Sequence, residues 1–367
     1  MKIVLAFDSF KGTLSSKELA KITKKELLKK YKGLEISSLE IGDGGEGSLN
    51  AIINQIDGEK RYKRIFGPNF NKIRGTIGIK DDTCFIESAN VVGFKYKKQS
   101  TSPSDYTTYG IGQLIKEALD LKIKNIYICL GGTITNDGGC GMAAALGAKF
   151  LNKNREEFIP KGASINDIED VVLEDLDKRL ADVNIYGLSD VVNPLFGPNG
   201  ASFIFGPQKG ANNEEVELMD KGLVKLSSII NAKYHLDFAD EMGSGAAGGL
   251  GYGIYTFLNG SLKKGIETIL DLYKFNDIIK DADFIFTGEG KLDSQSFQGK
   301  VIDGIIKRAS LYQKPIIGVF GIIEDSNEDY NKYFYKLYET NYKHLPFEEV
   351  KKHAKRDLIE TIKKIDF

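Results

Sequence analysis

Apolar and polar residues alternate along the chain in blocks that predict strands followed by helices at both ends. The apolar run Ile3–Phe7 predicts a short buried strand. Ser15 and Glu18 then form a capping box, which predicts a helix that runs to about Lys30. The other elements expected at the two ends are a strand at about Ile36–Ile41, a helix from Ser48, a strand at Asp283–Thr287, a helix at Lys300–Leu311, a strand at Pro315–Phe320 and an amphipathic helix over the last 20 residues.

The middle of the chain has a different pattern. Residues 60–66, 73–80 and 83–88 are expected to form β segments with close turns, which indicates an antiparallel part. Mixed elements follow: a helix at Thr107–Leu121, a strand at Asn125–Leu130, a helix near Gly141–Phe150, a strand at Asn184–Leu188 and a helix at about Asn213–Ala232. We therefore expect an α/β protein in which a Rossmann/flavodoxin-like domain, residues 1–59 plus 266–367, is interrupted by a mixed α/β domain at 60–265.

Glycines gather beside acidic, amide and lysine side chains, mostly just after an apolar stretch. The clusters are DSFKG (Asp8–Gly12), DGGEG (Asp43–Gly47), GGTITNDGG (Gly131–Gly139), SDVVNPLFG (Ser189–Gly197), GPQKGA (Gly206–Ala211), GSGAAGG (Gly243–Gly249) and TGEGKLDSQSFQGK (Thr287–Lys300). Glycine lets the backbone approach a ligand and turn its N–H groups toward an anion. Ligands of open α/β sheets bind at the carboxyl ends of the strands, so this recurrence favours a ligand site over ordinary turns.

The ordered set of motifs resembles one known family. DSFKG, DGGEG, TTYGIG, GG-x-x-TNDGG, D-V-x-NPL-x-G, PQKGA, GAAGGLG and TGEG-x-LD-x-Q…GK occur in the order seen in bacterial glycerate kinases of the GarK/GlxK type (glycerate kinase type 1 family). The resemblance spans roughly Lys2 to Gly321. The chain departs from the usual pattern at Thr133-Ile134, where Ser-Ala is common, at Lys291, which replaces an arginine, and at Ser296, which replaces a threonine.

The resemblance implies an ATP-dependent kinase with two different α/β domains and an active site in the cleft between them. It implies D-glycerate as the acceptor and, since the family is associated mainly with 2-phosphoglycerate, attack by the C2 hydroxyl rather than the C3 hydroxyl. ATP would require Mg²⁺, which prefers hard oxygen ligands and phosphate partners.

Composition agrees with such an enzyme. The net charge of −1 comes from 50 basic and 51 acidic residues, so no global field favours nucleic acid or an anionic membrane. Cys84, Cys129 and Cys140 lack disulfide or zinc spacing and are expected to be free thiols in a reducing compartment. No signal peptide or stretch of transmembrane length is visible, so we expect a cytoplasmic protein. Its oligomeric state stays open, with a homodimer as one option.

Phosphoryl transfer needs shielding of phosphate charge, a bridging metal and an aligned nucleophile. The chain has neither a Walker A sequence nor the protein-kinase motifs, so other glycine loops must hold the nucleotide. Gly243, Gly245 and Gly248 have the spacing GxGxxG but follow an acidic stretch, which favours a phosphate-cradling loop over a dinucleotide fingerprint. Close packing through small residues is the alternative. Gly288 and Lys291 are the other phosphate-binding candidates.

Three carboxylates are expected to bind the metal: Glu46, Glu289 and Asp293. Glu46 and Asp43 stand at the start of an expected helix, where they could also position a substrate hydroxyl or act only as favourable N-terminal charges. Glu289 and Asp293 form a mixed-charge group with Lys291, for which a surface ion pair is the alternative.

The substrate is expected to contact amide–carboxylate pairs that follow strands. These pairs are Asn136-Asp137 and Asp190…Asn193, and Asp8 is a further candidate substrate-binding residue. Such pairs can hold a polyhydroxy acid through donors and acceptors, but Asx-type turn caps explain them equally well.

Glycerate carries its own carboxylate, so the site needs a cationic anchor. The candidates are Lys11, Lys209, Lys291 and Lys300, with Lys209 assigned to the substrate. Because no histidine lies in a motif, a carboxylate should activate the hydroxyl. The expected catalytic residues are Asp190 as the base, narrowly ahead of Asp43, together with Lys11.

Two other classes compete with a kinase. A nicotinamide-dependent oxidoreductase would need a strand–GxGxxG–helix unit with an acidic residue for the ribose, and none is evident. A sugar-acid sensor could keep the binding amides but has little need of so many carboxylates beside glycines.

Overall fold

The computed structural model describes residues 1–42, 44–297, 299–324 and 329–367. In these ranges the strands are β1 (Lys2–Phe7), β2 (Glu35–Glu40), β3 (Glu59–Phe66), β4 (Lys72–Lys80), β5 (Thr83–Glu87), β6 (Asn125–Cys129), β7 (Lys149–Leu151), β8 (Glu157–Phe158), β9 (Asp170–Val172), β10 (Asn184–Leu188), β11 (Ser261–Lys263), β12 (Phe284–Thr287), β13 (Lys291–Leu292), β14 (Ile316–Phe320), β15 (Ile322–Ile323) and β16 (Lys336–Glu339). The helices are α1 (Ser16–Lys30), α2 (Ser48–Gln55), α3 (Ala89–Val92), α4 (Tyr109–Asp120), α5 (Cys140–Ala145), α6 (Ala201–Lys209), α7 (Asn213–Tyr234), α8 (Ala246–Leu258), α9 (Gly265–Leu272), α10 (Phe275–Ile279), α11 (Val301–Leu311) and α12 (Phe347–Lys363).

The chain divides into two compact units. The five-stranded unit contains Met1–Asp43, Asn54–Ile56 and Gly265–Phe367, and the six-stranded unit contains Gly44–Ile53 and Asp57–Lys264. The mixed α/β class expected from the sequence is confirmed. The assignment of residues 1–59 plus 266–367 and of 60–265 to two domains stays a prediction, and the segment Gly44–Ile53 belongs to the six-stranded unit rather than to the ends of the chain.

The five-stranded unit is built on a parallel sheet of order β2-β1-β12-β14-β16. Numbered along the chain, its strands have the order 2-1-3-4-5 of flavodoxin-like folds, in which ligands bind where the order reverses. Here the reversal lies between β1 and β12, which pair with Ile3 opposite Phe284. Both faces of a parallel sheet are covered, and accordingly five of the six β1 residues are buried.

Local signals form the helix that follows β1. Ser15 accepts a hydrogen bond from the Glu18 N–H, and the Glu18 side chain accepts one from the Ser15 N–H, so the predicted capping box is present. The buried side of α1, with Leu19 and Leu27, packs in the same core as Leu358 of α12. α12 ends at Lys363, earlier than expected, and Phe367 instead stacks on Tyr31 with ring centroids 4.7 Å apart.

The six-stranded unit contains a mixed sheet of order β11-β10-β6-β5-β4-β3. β3, β4 and β5 are antiparallel, as their close turns predicted, whereas β5, β6, β10 and β11 are parallel. The carboxyl ends of the parallel strands therefore lie along one edge, where the loops after Glu87, Cys129 and Leu188 begin.

One helix was predicted too long. The helix expected near Gly141–Phe150 ends at Ala145, because Gly147 has a φ of +110° and Lys149–Leu151 pairs as β7 with β8 and β9. A Cβ atom at position 147 would lie 2.2 Å from the Asp175 carbonyl oxygen, a contact that a local pattern does not reveal. The PQK part of the PQKGA motif lies inside α6.

Candidate functional site

The loops after β1 and β12 meet at the reversal point of the five-stranded sheet. The Asp8 N–H donates to the Gly288 carbonyl oxygen at 2.9 Å, and the Thr287 hydroxyl donates to the Ala6 carbonyl oxygen at 2.8 Å. A Cβ atom on Gly288 would lie 1.6 Å from the Val319 carbonyl oxygen, so only glycine fits. Asp8 is buried, and its Oδ1 accepts the Ser9 N–H at 2.7 Å.

Glu289, which follows β12, is partly buried. Its Oε1 is buried and finds no hydrogen-bond partner among the described residues. Burial raises the pKa of Glu289, while the Ser296 hydroxyl and the charges of Lys300 and Lys11 oppose that rise. A buried carboxylate oxygen without a partner is costly unless a ligand satisfies it, so this side chain is suited to a cation or a donor group.

Lys291 is engaged by neighbouring carboxylates. Its Nζ lies 3.0 Å from Glu324 Oε1 and 3.4 Å from Asp293 Oδ2, and the hydrogen bond with Glu324 raises the pKa of the lysine. The pair is about half exposed, so it contributes little to stability. Lys300 donates to Gln295 Oε1 at 3.3 Å just before α11.

In the six-stranded unit, the loop after β6 carries a fully buried carboxylate, Asp137. Its Oδ2 accepts the Thr108 N–H at 2.7 Å, the Thr108 hydroxyl at 2.9 Å and the Gly141 N–H at 3.2 Å. Its Oδ1 accepts the Gly139 N–H at 3.3 Å. Burial raises the pKa of Asp137 and these donors oppose the rise. Asp137 thus joins the start of α4 to the start of α5.

Asn136 and Lys209 form a second buried polar group beside Asp137. Asn136 Nδ2 donates to the Ser202 hydroxyl at 2.9 Å. Its buried Oδ1 accepts no hydrogen bond from the described residues. Lys209 Nζ donates to the Thr135 carbonyl oxygen at 2.8 Å. Burial lowers the pKa of Lys209 to about 7, opposed by the charge of Asp137. Lys209 therefore binds the backbone of the loop that contains Asn136.

The GSGAAGG glycines pack against neighbouring backbone. A Cβ atom on Gly248 would lie 2.0 Å from the Thr135 carbonyl oxygen, and one on Gly245 would lie 2.2 Å from the Pro194 carbonyl oxygen. The Gly245 N–H donates to the Asn193 carbonyl oxygen at 2.9 Å. Gly243 has a φ of +83°, and a Cβ atom there would lie 2.7 Å from Leu262 Cδ1. Such contacts are what close packing through small residues predicts, and the Gly245 N–H is already committed to the protein.

Ala247, Gly248 and Gly249 have positive φ angles of 55°, 72° and 85° at the start of α8. Left-handed backbone at an alanine costs roughly 1–2 kcal/mol, and such strain collects at functional sites. The turn lies against the loop of Asn136, because the Gly138 N–H donates to the Gly248 carbonyl oxygen at 3.1 Å.

The loop after β10 carries the proposed base. Asp190 is partly buried directly after the strand. Asn193 Nδ2 donates to the Asn199 carbonyl oxygen at 2.8 Å, which gives the turn its shape.

The DGGEG loop contains two predicted site residues, Glu46 and Asp43. Glu46 is exposed, and Asp43 lies outside the described residues. The N–H groups of Gly47 and Leu49 are bound by Glu87, which ends β5.

The structure places the predicted residues in two sets. Those in the five-stranded unit are Asp8, Lys11, Gly288, Glu289, Lys291 and Asp293. Those in the six-stranded unit are Glu46, Asn136, Asp137, Asp190, Asn193, Lys209, Gly243, Gly245 and Gly248. Across residues 1–42, 44–297, 299–324 and 329–367, no group of three or more His, Cys, Asp or Glu side chains forms a ready metal site. No described helix is long and apolar enough to cross a membrane.

Comparison with known proteins decides the family. The model of the glycerate kinase family matches residues 3–366. The chain belongs to the glycerate kinase family. It is 40% identical to the glycerate 2-kinase of Escherichia coli K12 over 89% of this chain and 86% of that protein. It is 36% identical to the glycerate kinase of Bacillus subtilis 168 over 96% of this chain and 94% of that protein.

A solved structure agrees with this membership. The crystal structure of a protein assigned as glycerate kinase 2 from Salmonella typhimurium LT2 superposes with a TM-score of 0.87 and 34% identity, covering 99% of this chain and 96% of that chain. The predicted family and the predicted enzyme class, a kinase, are thereby confirmed.

Sequence reasoning missed three residues of this glycerate kinase family member. Glu87 ends an apolar strand, so the rule that strand ends carry functional groups would have found it. Thr108, which holds Asp137, lies in the TTYGIG motif but was given no role, and Ser202, which holds Asn136, is far from it in sequence and carries no local signal.

Proposed function

We propose that the protein transfers the γ-phosphoryl group of ATP to the C2 hydroxyl of D-glycerate, giving 2-phosphoglycerate and ADP in the cytoplasm. The observation that carries this proposal is the strand order of the five-stranded sheet. It brings the DSFKG and TGEGK loops to the reversal point of a flavodoxin-like sheet, where nucleotides and other phosphates bind in such folds.

Charges at that point suit a triphosphate. Lys11 follows β1 and acts electrostatically on Glu289, which follows β12. Lys11, Lys291 and the Gly288 backbone would contact phosphate oxygens. Glu289, whose Oε1 lacks a partner among the described side chains, and Asp293 would hold Mg²⁺ with the phosphates, as the ion is usually bound by one or two carboxylates. Glu46 stays a third candidate ligand. Mg²⁺ supplies charge shielding for the transferred group.

The six-stranded unit supplies groups for the acid. Asn136 Oδ1 needs a donor, and a glycerate hydroxyl provides one. Asn193, Asp8 and Asp137 remain candidate substrate-binding residues, although Asp137 Oδ2 already accepts three hydrogen bonds shorter than 3.3 Å. In our proposal Asp190 takes the proton of the C2 hydroxyl, whose oxygen bonds the γ-phosphorus as the bond to ADP breaks. Asp43 is the alternative base.

This proposal gives Lys209 and the glycines of GSGAAGG roles that differ from those expected from the sequence. Lys209 holds the Thr135 carbonyl and thereby positions Asn136, so Lys300 becomes the cationic anchor of the glycerate carboxylate. Gly243, Gly245 and Gly248 support the loops by close packing, and phosphate cradling by their N–H groups is the less favoured role.

The preference for C2 is supported by the name of the Escherichia coli relative, glycerate 2-kinase. If the carboxylate is clamped, the adjacent C2 hydroxyl is also held more rigidly than C3, and alignment is what this chemistry chiefly requires.

The test is ADP release from ATP that depends on D-glycerate and Mg²⁺, with enolase added directly to the product. We expect phosphoenolpyruvate without phosphoglycerate mutase and no turnover in EDTA. A strict need for mutase would mean that C3 is phosphorylated, and turnover in EDTA would contradict the role of the acids. Turnover of NAD⁺ instead of ATP would overturn the kinase. A homodimer stays a prediction that sedimentation velocity would check.

A further inference from the structure

Glu87 is a buried carboxylate that none of the motifs contains. It is the last residue of β5, and only 1% of its surface is exposed. Its Oε1 accepts the Gly47 N–H at 3.1 Å and its Oε2 accepts the Leu49 N–H at 2.9 Å. These N–H groups belong to the start of α2, whose fully described first turn has no acidic residue of its own. A side chain from a strand end thus satisfies N–H groups that a helix leaves unpaired.

The other end of the same loop is held by the neighbouring strand. The Gly131 N–H donates to the Gly44 carbonyl oxygen at 3.1 Å, and a Cβ atom on Gly131 would lie 2.8 Å from Gly45 Cα. β5 and β6 are parallel partners in which Glu87 faces Cys129, so Glu87 and Gly131 start from adjacent strand ends. Residues 44–47 are therefore fixed at both ends.

We propose that Glu87 is a positioning residue of the phosphoryl transfer, which fixes the loop of residues 44–47 so that Glu46 is presented to the reacting groups. This inference rests on the proposed function, because it acts through Glu46. Hydrogen bonds from backbone N–H groups to a carboxylate are stronger than those between neutral groups, so two of them can hold an exposed loop. A displacement of about 1 Å can lower turnover about a hundredfold.

The charge of Glu46 also reaches Glu87. Burial raises the pKa of Glu87 most strongly, and the charge of Glu46 raises it further, while the two N–H donors and Lys95 lower it. Glu46 is therefore near enough for its charge to raise the pKa of Glu87.

The first test is a double-mutant cycle. Glu87→Gln replaces one acceptor oxygen by an NH₂ group that cannot accept an N–H. We expect kcat to fall at least tenfold, while KM for ATP and for glycerate changes less than threefold. Glu46→Gln should lower kcat similarly, and the double variant should be no slower than Glu46→Gln, since interacting residues are not additive. Additive losses would overturn the proposal, as would a normal kcat in Glu87→Gln.

Two further variants separate positioning from stability. Glu26→Gln is the matched control, because Glu26 is also buried, 5% exposed, but pairs with Lys29 on α1. It should lower the melting temperature without lowering kcat, and an equal loss of kcat would overturn the proposal. Gly131→Ala keeps Glu87 but presses on Gly45, so it should reproduce the kcat loss even where Glu87→Gln fails to fold.

Hydrogen–deuterium exchange of the backbone amides measures how firmly the loop is held, independently of turnover. Exchange of residues 44–50, followed by mass spectrometry, should rise in Glu87→Gln and stay unchanged in Glu26→Gln. Unchanged exchange in Glu87→Gln would overturn the positioning role even in an active enzyme. A wild-type protein without glycerate-dependent ADP release would overturn the proposed function instead, and the exchange result would still decide whether Glu87 holds the loop.

Discussion

The strand-end loops of the two sheets have similar sequences and different environments. After β1 and β12, Lys11, Lys291 and Asp293 are exposed or partly exposed, and Lys291 pairs with Asp293 of its own loop and with Glu324 after β15. After β6, Asn136 and Asp137 are fully buried and bonded to side chains and backbone of distant elements. The same mixture of acids, amides, lysines and glycines thus leaves Lys11 and Lys291 exposed in one unit and forms a buried polar network after β6 in the other.

The difference teaches what each loop can do. An exposed charge can move to meet a charged ligand and contributes little to stability. A buried polar group that accepts several hydrogen bonds, as Asp137 does, fixes backbone positions and is costly to remove. Substitutions at Lys11 and Asp293 should therefore lower activity with little loss of stability, whereas a substitution at Asp137 should lower stability.

The largest effect is expected at Asp137. Asp137→Ala leaves the N–H groups of Thr108 and Gly141 unsatisfied in the interior, so the free energy of unfolding should fall by at least about 3 kcal/mol. Asp293→Ala, which removes a partly exposed acceptor, should cost about 1 kcal/mol or less. Urea denaturation followed by circular dichroism measures both. Equal losses would mean that burial does not distinguish the two loops.

Gly248 and Gly299 compare a packed glycine with an open one. Both have positive φ, +72° and +80°, but a Cβ atom would lie 2.0 Å from the Thr135 carbonyl oxygen at Gly248 and would meet no described atom within 4 Å at Gly299. Gly248→Ala should therefore cost about 3 kcal/mol or more, and Gly299→Ala about 1 kcal/mol from backbone strain alone. If thermal unfolding shifts alike for both, the close contact is not what constrains Gly248.

Lys11 tests the exposed edge. Lys11→Met should lower kcat about a hundredfold, because one preorganised charge contact to the transferred group is lost, and should leave the melting temperature unchanged. Lys307→Met is the control, since Lys307 is an exposed lysine paired with Asp303 on α11. Near-normal turnover in Lys11→Met would show that the residue is only a surface charge.

The smallest effect is a pH dependence from Lys209. Its pKa is about 7 when folded against 10.5 when exposed, so between these values the unfolded chain binds more protons and folding releases one. Stability relative to Lys209→Met should therefore rise with pH above about 7, by at most about 1.4 kcal/mol per pH unit. Urea denaturation of both proteins at about pH 7.5 and pH 8.5 measures the difference. Parallel curves would mean that Lys209 stays charged in the folded protein.

Much of the candidate site could be predicted because its signals are local. The apolar run before Asp8 and the capping box at Ser15 depend on neighbours in the sequence, and β1 and α1 formed as expected. Glu87 could have been found by the same rule, applied to the end of β5. The contact of Asp8 with Gly288 could not, because it joins residues that only the pairing of β1 with β12 brings together.

The sequence by itself determined the α/β class, the strands that precede the functional loops and, through the order of its motifs, membership of the glycerate kinase family. These follow from periodicity and capping, which act over a few residues, and from motif order, which is read directly. Only the tertiary structure decided that Lys209 is buried against Thr135, that Asp137 joins two helices and that Lys291 stays at the surface. The physical reason is that burial sets the cost of an unpaired polar group, and burial depends on elements far apart in the chain.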